Sequence, residues 1–446
     1  MKVKHYLMIV VLLGLAVVAA IVSGVLAPKT VNPPKIEQLS TTEVPKGMSR
    51  GEYIAKMSDC TACHTTQTDK PFAGGLAMPL PMGTLYSTNI TPDKETGIGR
   101  YTLADFRRVL REGIRKDGSR LYPAMPYTEY TKLSDADIES LYDYFMNQIK
   151  PVHQANREND IPAVMSMRWP LALWNWMFHK QGAYRVKPDE SAQWNRGAYL
   201  VQGATHCGTC HTPRGLAMQS LASDETEHSF LAGSDLGGWH AFNITSDETA
   251  GIGKWSQAEI VQYLKTGSVP GKAQAAGPMA EAVEHSFQYL TDSDLNSIAT
   301  YLRSVTPFND DKNKPSRFEQ GQPVSQDLKL RGVPVDVASK KMPGASLYMG
   351  NCSVCHDADG SGSPDGYYPS LYHNSVIGSE HTGNLIQVIL HGVKRHTASG
   401  DVMMPAFGQH LSDKEVATLV NFLTKTYGAK DANISASDVK ALRVSE

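Results

Sequence analysis

WNRGAYLVQGATHCGTCHTPRG, residues Trp194 to Gly215, decides the fold through its core, Cys207-Gly-Thr-Cys210-His211. The same CxxCH core stands at Cys60-Thr-Ala-Cys63-His64 and at Cys352-Ser-Val-Cys355-His356, and the three copies use all six cysteines. No thiol remains for a disulfide. CxxCH is the attachment signature of c-type haem: each thiol adds across one vinyl group of the porphyrin, and the adjacent imidazole is held beneath the iron. A zinc site built from Cys and His pairs is the competing reading. Three isolated copies, each followed at once by His and none paired with a second CxxC, argue against it. The motifs predict three covalent haem c groups, held by Cys60 and Cys63, Cys207 and Cys210, and Cys352 and Cys355, with His64, His211 and His356 as iron ligands.

Outward from the motifs, two of the three flanks repeat. Asn89-Ile-Thr and Gly97-Ile-Gly follow the first copy, Asn243-Ile-Thr and Gly251-Ile-Gly the second, with eight residues from Asn to Gly in both. From that Gly to a methionine the interval is again shared, 28 residues to Met125 and to Met279. Thr102 and Ser256 read as caps of a middle helix that Gly113 and Gly267 end, and Ser134 and Thr291 as caps of a last one. The third copy lacks the NIT and GIG markers. Its skeleton still reads: Gly344 to Tyr348 leads into the motif, Leu385 to Leu390 is the middle helix, Gly392 ends it, and Ser412 with Glu415 caps the terminal helix. Each of these three glycines precedes a methionine by twelve residues, which selects Met404 over its neighbour Met403. Met125, Met279 and Met404 are therefore the expected sixth iron ligands. A thioether opposite an imidazole makes iron six-coordinate and raises its potential, which suits electron transfer and leaves no position for substrate. His206 and His285 read as packed or haem-edge groups.

The layout of helix, CxxCH, loop, helix, Met, helix predicts a mainly α fold: three consecutive class I cytochrome c-like domains with an N-terminal transmembrane helix. A chain of 446 residues accommodates three such domains. Residues 1–27 are the anchor or signal, 28–46 a tether, 47–150 the first domain, 151–190 an aromatic connector, 191–309 the second domain, 310–342 a linker, 343–428 the third domain and 429–446 a tail. Leu7 to Ala27 is an uncharged run behind Lys2 and Lys4, long enough as a helix to cross a bilayer. A cleaved signal peptide is the alternative, but Pro28 would follow the cut. Either way the body is exported, so the expected place is the bacterial inner membrane with the haem domains facing the periplasm. The connector contains MRWPLALWNWMFH, Met167 to His179, read as interdomain core or as contact with a partner or the membrane interface. With 43 basic against 45 acidic residues, nothing points to nucleic acid.

DCTACHT, NITPD, GIG, LYPAMPY, WNRGAYLVQGATHCGTCHTPRG and MMPAF together resemble the membrane-bound triheme cytochrome c subunit of periplasmic dehydrogenases of acetic acid bacteria and their relatives. Those complexes oxidise alcohols, gluconate, sorbitol, fructose or aldehydes. The resemblance covers nearly all of Gly51 to Tyr427, departing at Ala280, where the other two units place proline after the methionine. It implies a catalytic dehydrogenase subunit as partner, carrying pyrroloquinoline quinone, FAD or a molybdenum cofactor, with or without a third small subunit. The triheme chain would pass electrons to membrane ubiquinone and anchor the complex, without acting on the organic substrate itself. Two rivals share the motifs. One is a freestanding triheme cytochrome that shuttles electrons to a terminal oxidase. The other is a dihaem-type peroxidase, which needs an open iron position that three placed methionines deny.

Overall fold

The computed structural model describes residues 39, 43–80, 82–310, 315–324, 344–428 and 431–443. In each motif-bearing unit a first helix leads into the CxxCH helix and a last helix packs across it. The pairs are Arg50–Met57 with Asp135–Asp143, Ala192–Tyr199 with Asp292–Leu302, and Gly344–Asn351 with Asp413–Tyr427. Each crossing is made on a glycine. A Cβ at Gly51 would collide with the Ser140 carbonyl, at Gly197 with the Ser297 carbonyl, and at Gly344 with Phe422, so the helices approach closer than any side chain permits.

The caps fall where the sequence puts them. Thr102 with Asp105, Ser256 with Glu259 and Ser412 with Glu415 form reciprocal capping boxes. Ser134 and Thr291 accept from the amides of Asp137 and Asp294, but those two carboxylates are used elsewhere. Asp137 takes Arg50 (2.6 Å) from its own unit and the Tyr199 hydroxyl (2.6 Å) from the next. Asp294 takes Arg196 (2.8 Å) and, reciprocally, the Tyr53 hydroxyl (2.8 Å). Each phenol thus donates to the other unit's cap helix, and each oxygen also accepts from the backbone, at Thr291 and Ser134.

Those crossed bonds run through one continuous core. Tyr53, Ile54, Leu133 and Ile138 of the first unit and Tyr199, Leu295, Ile298 and Tyr301 of the second belong to the same buried cluster, while Leu347, Tyr348, Ile386, Val416 and Val420 form a separate one in the third. The expectation of a mainly α chain of three consecutive class I cytochrome c-like domains with a transmembrane helix is corrected here. Among the described residues the connecting segments contain four two-stranded antiparallel sheets, which give their half-buried backbone groups partners. They are Ala77–Leu80 with Gly83–Tyr86, Ser234–Leu236 with Trp239–Ala241, Ser268–Val269 with Ala273–Gln274, and Val393–Thr397 with Gly400–Met404. The first two units share their interior. No helix among the described residues is long and apolar enough to cross a membrane, and the Leu7–Ala27 run lies outside those residues, as does most of the linker.

The connector divides its faces. In the Pro170–Phe178 helix, Asn175 and the following His179 are buried: Asn175 Nδ2 donates to Glu112 O (3.1 Å) and His179 Nε2 to Arg111 O (2.7 Å), closing the end of the Leu103–Glu112 helix. Trp174 Nε1 donates to Ala217 O (2.8 Å) on the second unit. Trp169, Trp176, Met177 and Leu173 remain exposed, Trp169 to 71%. The expected tail also carries structure, the Ala436–Arg443 helix, with Val439 buried and Arg443 paired to Asp413 (2.7 Å).

Candidate haem sites

The three motifs form short helices, Cys60–His64, Cys207–His211 and, one residue later, Ser353–His356. In the first two, the residue before the first cysteine is left-handed without being glycine, Asp59 at φ 50° and His206 at φ 36°. Such a conformation costs about 1 kcal/mol or more and persists where the surroundings impose it. It turns the chain sharply from the preceding helix so that both thiols and the imidazole lie on one side of the short helix.

The histidines share one further contact. His64 Nδ1 donates to Thr88 O (2.6 Å), His211 Nδ1 to Phe242 O (2.6 Å) and His356 Nδ1 to Pro369 O (2.9 Å). A carbonyl only accepts, so the proton is on Nδ1 and Nε2 keeps its lone pair for a metal; this is the second contact that orients ligand imidazoles. Burial pushes His211 down to about 4 and lowers His64 and His356 too, so the rings are neutral as ligands must be. Burial also pushes the thiols of Cys60, Cys63 and Cys352 up to about 12 and that of Cys207 to about 11. Among the described residues the donors that do converge for a cation are Asp235, His240 and His381, outside all three motifs.

The NIT markers gain a role from this geometry. Thr88 and Phe242, whose carbonyls hold the histidines, immediately precede Asn89 and Asn243. Each asparagine accepts from the backbone and hydroxyl of its own Thr91 or Thr245 and donates to a distant carbonyl, Val152 or Phe308, both at 2.8 Å. The loop is pinned where it presents the acceptor. Gly97, Gly99, Gly251 and Gly253 let the same loop close, since a Cβ at each would strike a backbone carbonyl.

The three methionines sit in different local structures. Met125 lies in a turn that Pro126 keeps from being helical, Met279 lies in the first turn of the Gly277–His285 helix that Ala280 continues, and Met404 ends a strand opposite Val393. All three are half-buried, whereas Met403, on the opposite face of its strand, is 68% exposed. His206 packs edge-on against Tyr130 at 5.6 Å, and the Tyr130 hydroxyl donates to Ser58 O (2.6 Å). The structure therefore sets the first two motifs side by side, with the Met279 helix of the second unit against the Cys60–His64 helix of the first. Sequence reasoning missed Tyr53, Tyr199 and Tyr130. The first two were detectable, since each stands two residues after a crossing glycine in equivalent places of the repeat.

Half-buried thiol pairs beside a neutral, carbonyl-anchored imidazole define a c-type cytochrome, and a family model described as Cytochrome c matches residues 342–426, the third unit. That match covers one domain, which corrects the expectation of three class I cytochrome c-like domains: the first two units, built as one body, lie outside it. The chain is 45% identical to the fructose dehydrogenase cytochrome subunit of Gluconobacter japonicus, over 89% of this chain and 82% of that one. It is 41% identical to the gluconate 2-dehydrogenase cytochrome c subunit of Pantoea cypripedii, over 90% of both. It is 42% identical to the cytochrome c subunit of the quinone alcohol dehydrogenase of Gluconobacter oxydans, over 89% of this chain and 82% of the relative. The chain belongs to this family, the cytochrome c subunits of dehydrogenase complexes, and its work is electron transfer.

Proposed function

We propose that the chain binds three haem c groups, one at each CxxCH, and passes electrons from a catalytic dehydrogenase subunit to ubiquinone at the periplasmic face of a bacterial inner membrane. The observation that carries the count is the shared bond from His64, His211 and His356 Nδ1 to a backbone carbonyl, which leaves three equivalent Nε2 lone pairs. When bound, haem iron supplies reversible one-electron chemistry between its ferric and ferrous states. The protein's part is to fix position and potential. The cysteine pairs would tether the groups, and His64, His211 and His356 together with Met125, Met279 and Met404 would supply the iron ligands.

The partner follows from the relatives, whose names join a cytochrome subunit to a fructose, gluconate or alcohol dehydrogenase. Pyrroloquinoline quinone, FAD or a molybdenum cofactor is the chemistry proposed for that subunit. The exposed Trp169, Trp176 and Met177 supply an apolar, aromatic face of the kind that favours a membrane interface, and the quinone is proposed to approach there. Isolating the native assembly tests the reading: the intact mass of this chain should exceed that of the polypeptide by three haems, a dehydrogenase should co-purify, and substrate should reduce added ubiquinone. Fewer haems, or a chain that comes away alone under gentle solubilisation and never reduces quinone, overturns it.

A further inference from the structure

The hairpin of Ser234–Leu236 with Trp239–Ala241 sets Asp235 directly opposite His240, so the two side chains leave the sheet on the same face. Asp235 Oδ1 and His240 Nδ1 are 2.7 Å apart. A third donor arrives from another unit: the His381 ring lies flat on the His240 ring, with 3.6 Å between centroids and 6° between planes. One ligand atom from each of the three lies within 4.8 Å of the others. No member belongs to a CxxCH motif, so the cluster stands whether or not the motifs carry haem.

The backbone fixes this meeting. Asn384, buried in the first turn of the Gly383–His391 helix, accepts from His240 N (2.7 Å) and donates from Nδ2 to His240 O (2.9 Å). It thus satisfies His240 as a neighbouring strand would, three residues after His381. Between them Gly383 would place a Cβ 3.2 Å from Gly238 O, a tight fit for any larger residue at the hairpin's turn. The half-buried His240 is the anchored member, while Asp235 and His381 are exposed and can turn.

A flat pair of imidazoles alone is an ordinary packing contact. A carboxylate at the same point changes its chemistry. Two charged rings in contact would repel, so at most one is protonated and nitrogen lone pairs remain for a cation. Two imidazoles with one carboxylate suit zinc or another late first-row divalent ion, and suit calcium or magnesium poorly, since those take oxygen. Ligand atoms about 2.1 Å from a tetrahedral ion stand about 3.4 Å apart. Asp235 therefore backs away slightly and the His381 ring tilts toward the shared point, which asks movement only of the two exposed members. We propose that Asp235, His240 and His381 bind one divalent transition-metal ion, zinc by donor type, with water in its fourth position, and that the ion ties the second unit to the third. Two ligands come from one unit and one from the other, so the site is lost when the units part.

The test is equilibrium dialysis of the untagged full-length holoprotein, first stripped of loose metal with EDTA, against Zn2+. One ion per chain should bind saturably. Zinc-edge X-ray absorption should show nitrogen and oxygen neighbours without sulfur, which separates this site from zinc at an unloaded CxxCH motif. His381→Ala and Asp235→Ala, both at exposed positions, should keep the wild-type circular dichroism and each weaken binding by at least about tenfold. With zinc tenfold above its Kd, opening of the junction becomes about tenfold rarer, so proteolytic separation of the third unit should slow by that factor in the wild type and not in His381→Ala. Wild-type affinity in either variant, a sulfur neighbour at the zinc, or no saturable binding overturns the site. Equal cleavage rates with and without zinc overturn the tie.

Discussion

The middle helices of the first two units end alike and are covered differently. Gly113 and Gly267 are both left-handed, at φ 65° and 74°, and both are approached too closely for a side chain. Over Gly113 lies Tyr127 of the same unit, its hydroxyl donating to Asn175 Oδ1 (2.7 Å) and its ring edge-on to His179 at 5.3 Å. That cover is neutral, supplied by the unit itself and braced by the connector. Over Gly267 lies Arg395, a permanent cation supplied by the third unit. Sequence repetition thus preserved the notch while its occupant changed, from a ring of the same unit to a cation of another.

Acid should break the comparison most strongly. Burial holds His179 down at about 4 from its ordinary 6.5, while its Nε2–H donates to Arg111 O. A histidine whose folded value is depressed contributes stability that is complete above pH 6.5 and is lost as pH falls toward 4. The contribution is about 3 kcal/mol, so the first unit's cover should loosen over that window while the arginine cover does not titrate. Urea unfolding between pH 7 and 4 should show the slope, and His179→Gln should flatten it. Next in size, Gly113→Ala should cost about 2 kcal/mol, from the left-handed backbone and the displaced Tyr127 ring. Gly267→Ala should cost a similar amount but also loosen the third unit's seat on the second by displacing Arg395; equal protease sensitivity of the third unit in the two variants would erase the distinction. The smallest effect is expected of Tyr127→Phe, about 1 kcal/mol, because Asn175 loses one partner and keeps the bond to Glu112. A loss above about 3 kcal/mol would mean that the phenol holds more than Asn175.

Local chemistry made much of this legible before any coordinates. Ser256 with Glu259, Gly267 and the 28-residue interval to Met279 specify a helix, its end and a methionine through short-range hydrogen bonds and chain length. The same interval does not specify what surrounds the methionine: Pro126 stops a helix after Met125, and Ala280 lets one run past Met279. The loops after the motifs read as plain coil because their strands are two to five residues long, too short for an alternating pattern to stand out. Asp137 and Asp294 read as capping partners, yet their carboxylates meet tyrosines 62 and 241 residues away in sequence. Nothing in the neighbours of Arg395 announces that its side chain enters another unit.

The crossed phenols also govern the order in which the protein can be completed. Tyr53 needs Asp294, so the first unit lacks part of its closure until the chain has been made as far as the helix ending at Leu302. That is a delay of roughly 10–30 s at ordinary rates of synthesis. During it Cys60 and Cys63, half-buried in the finished fold, are more accessible. An interlock that joins two sites through one core thereby leaves open, for a time, the interval in which the first of them can be loaded.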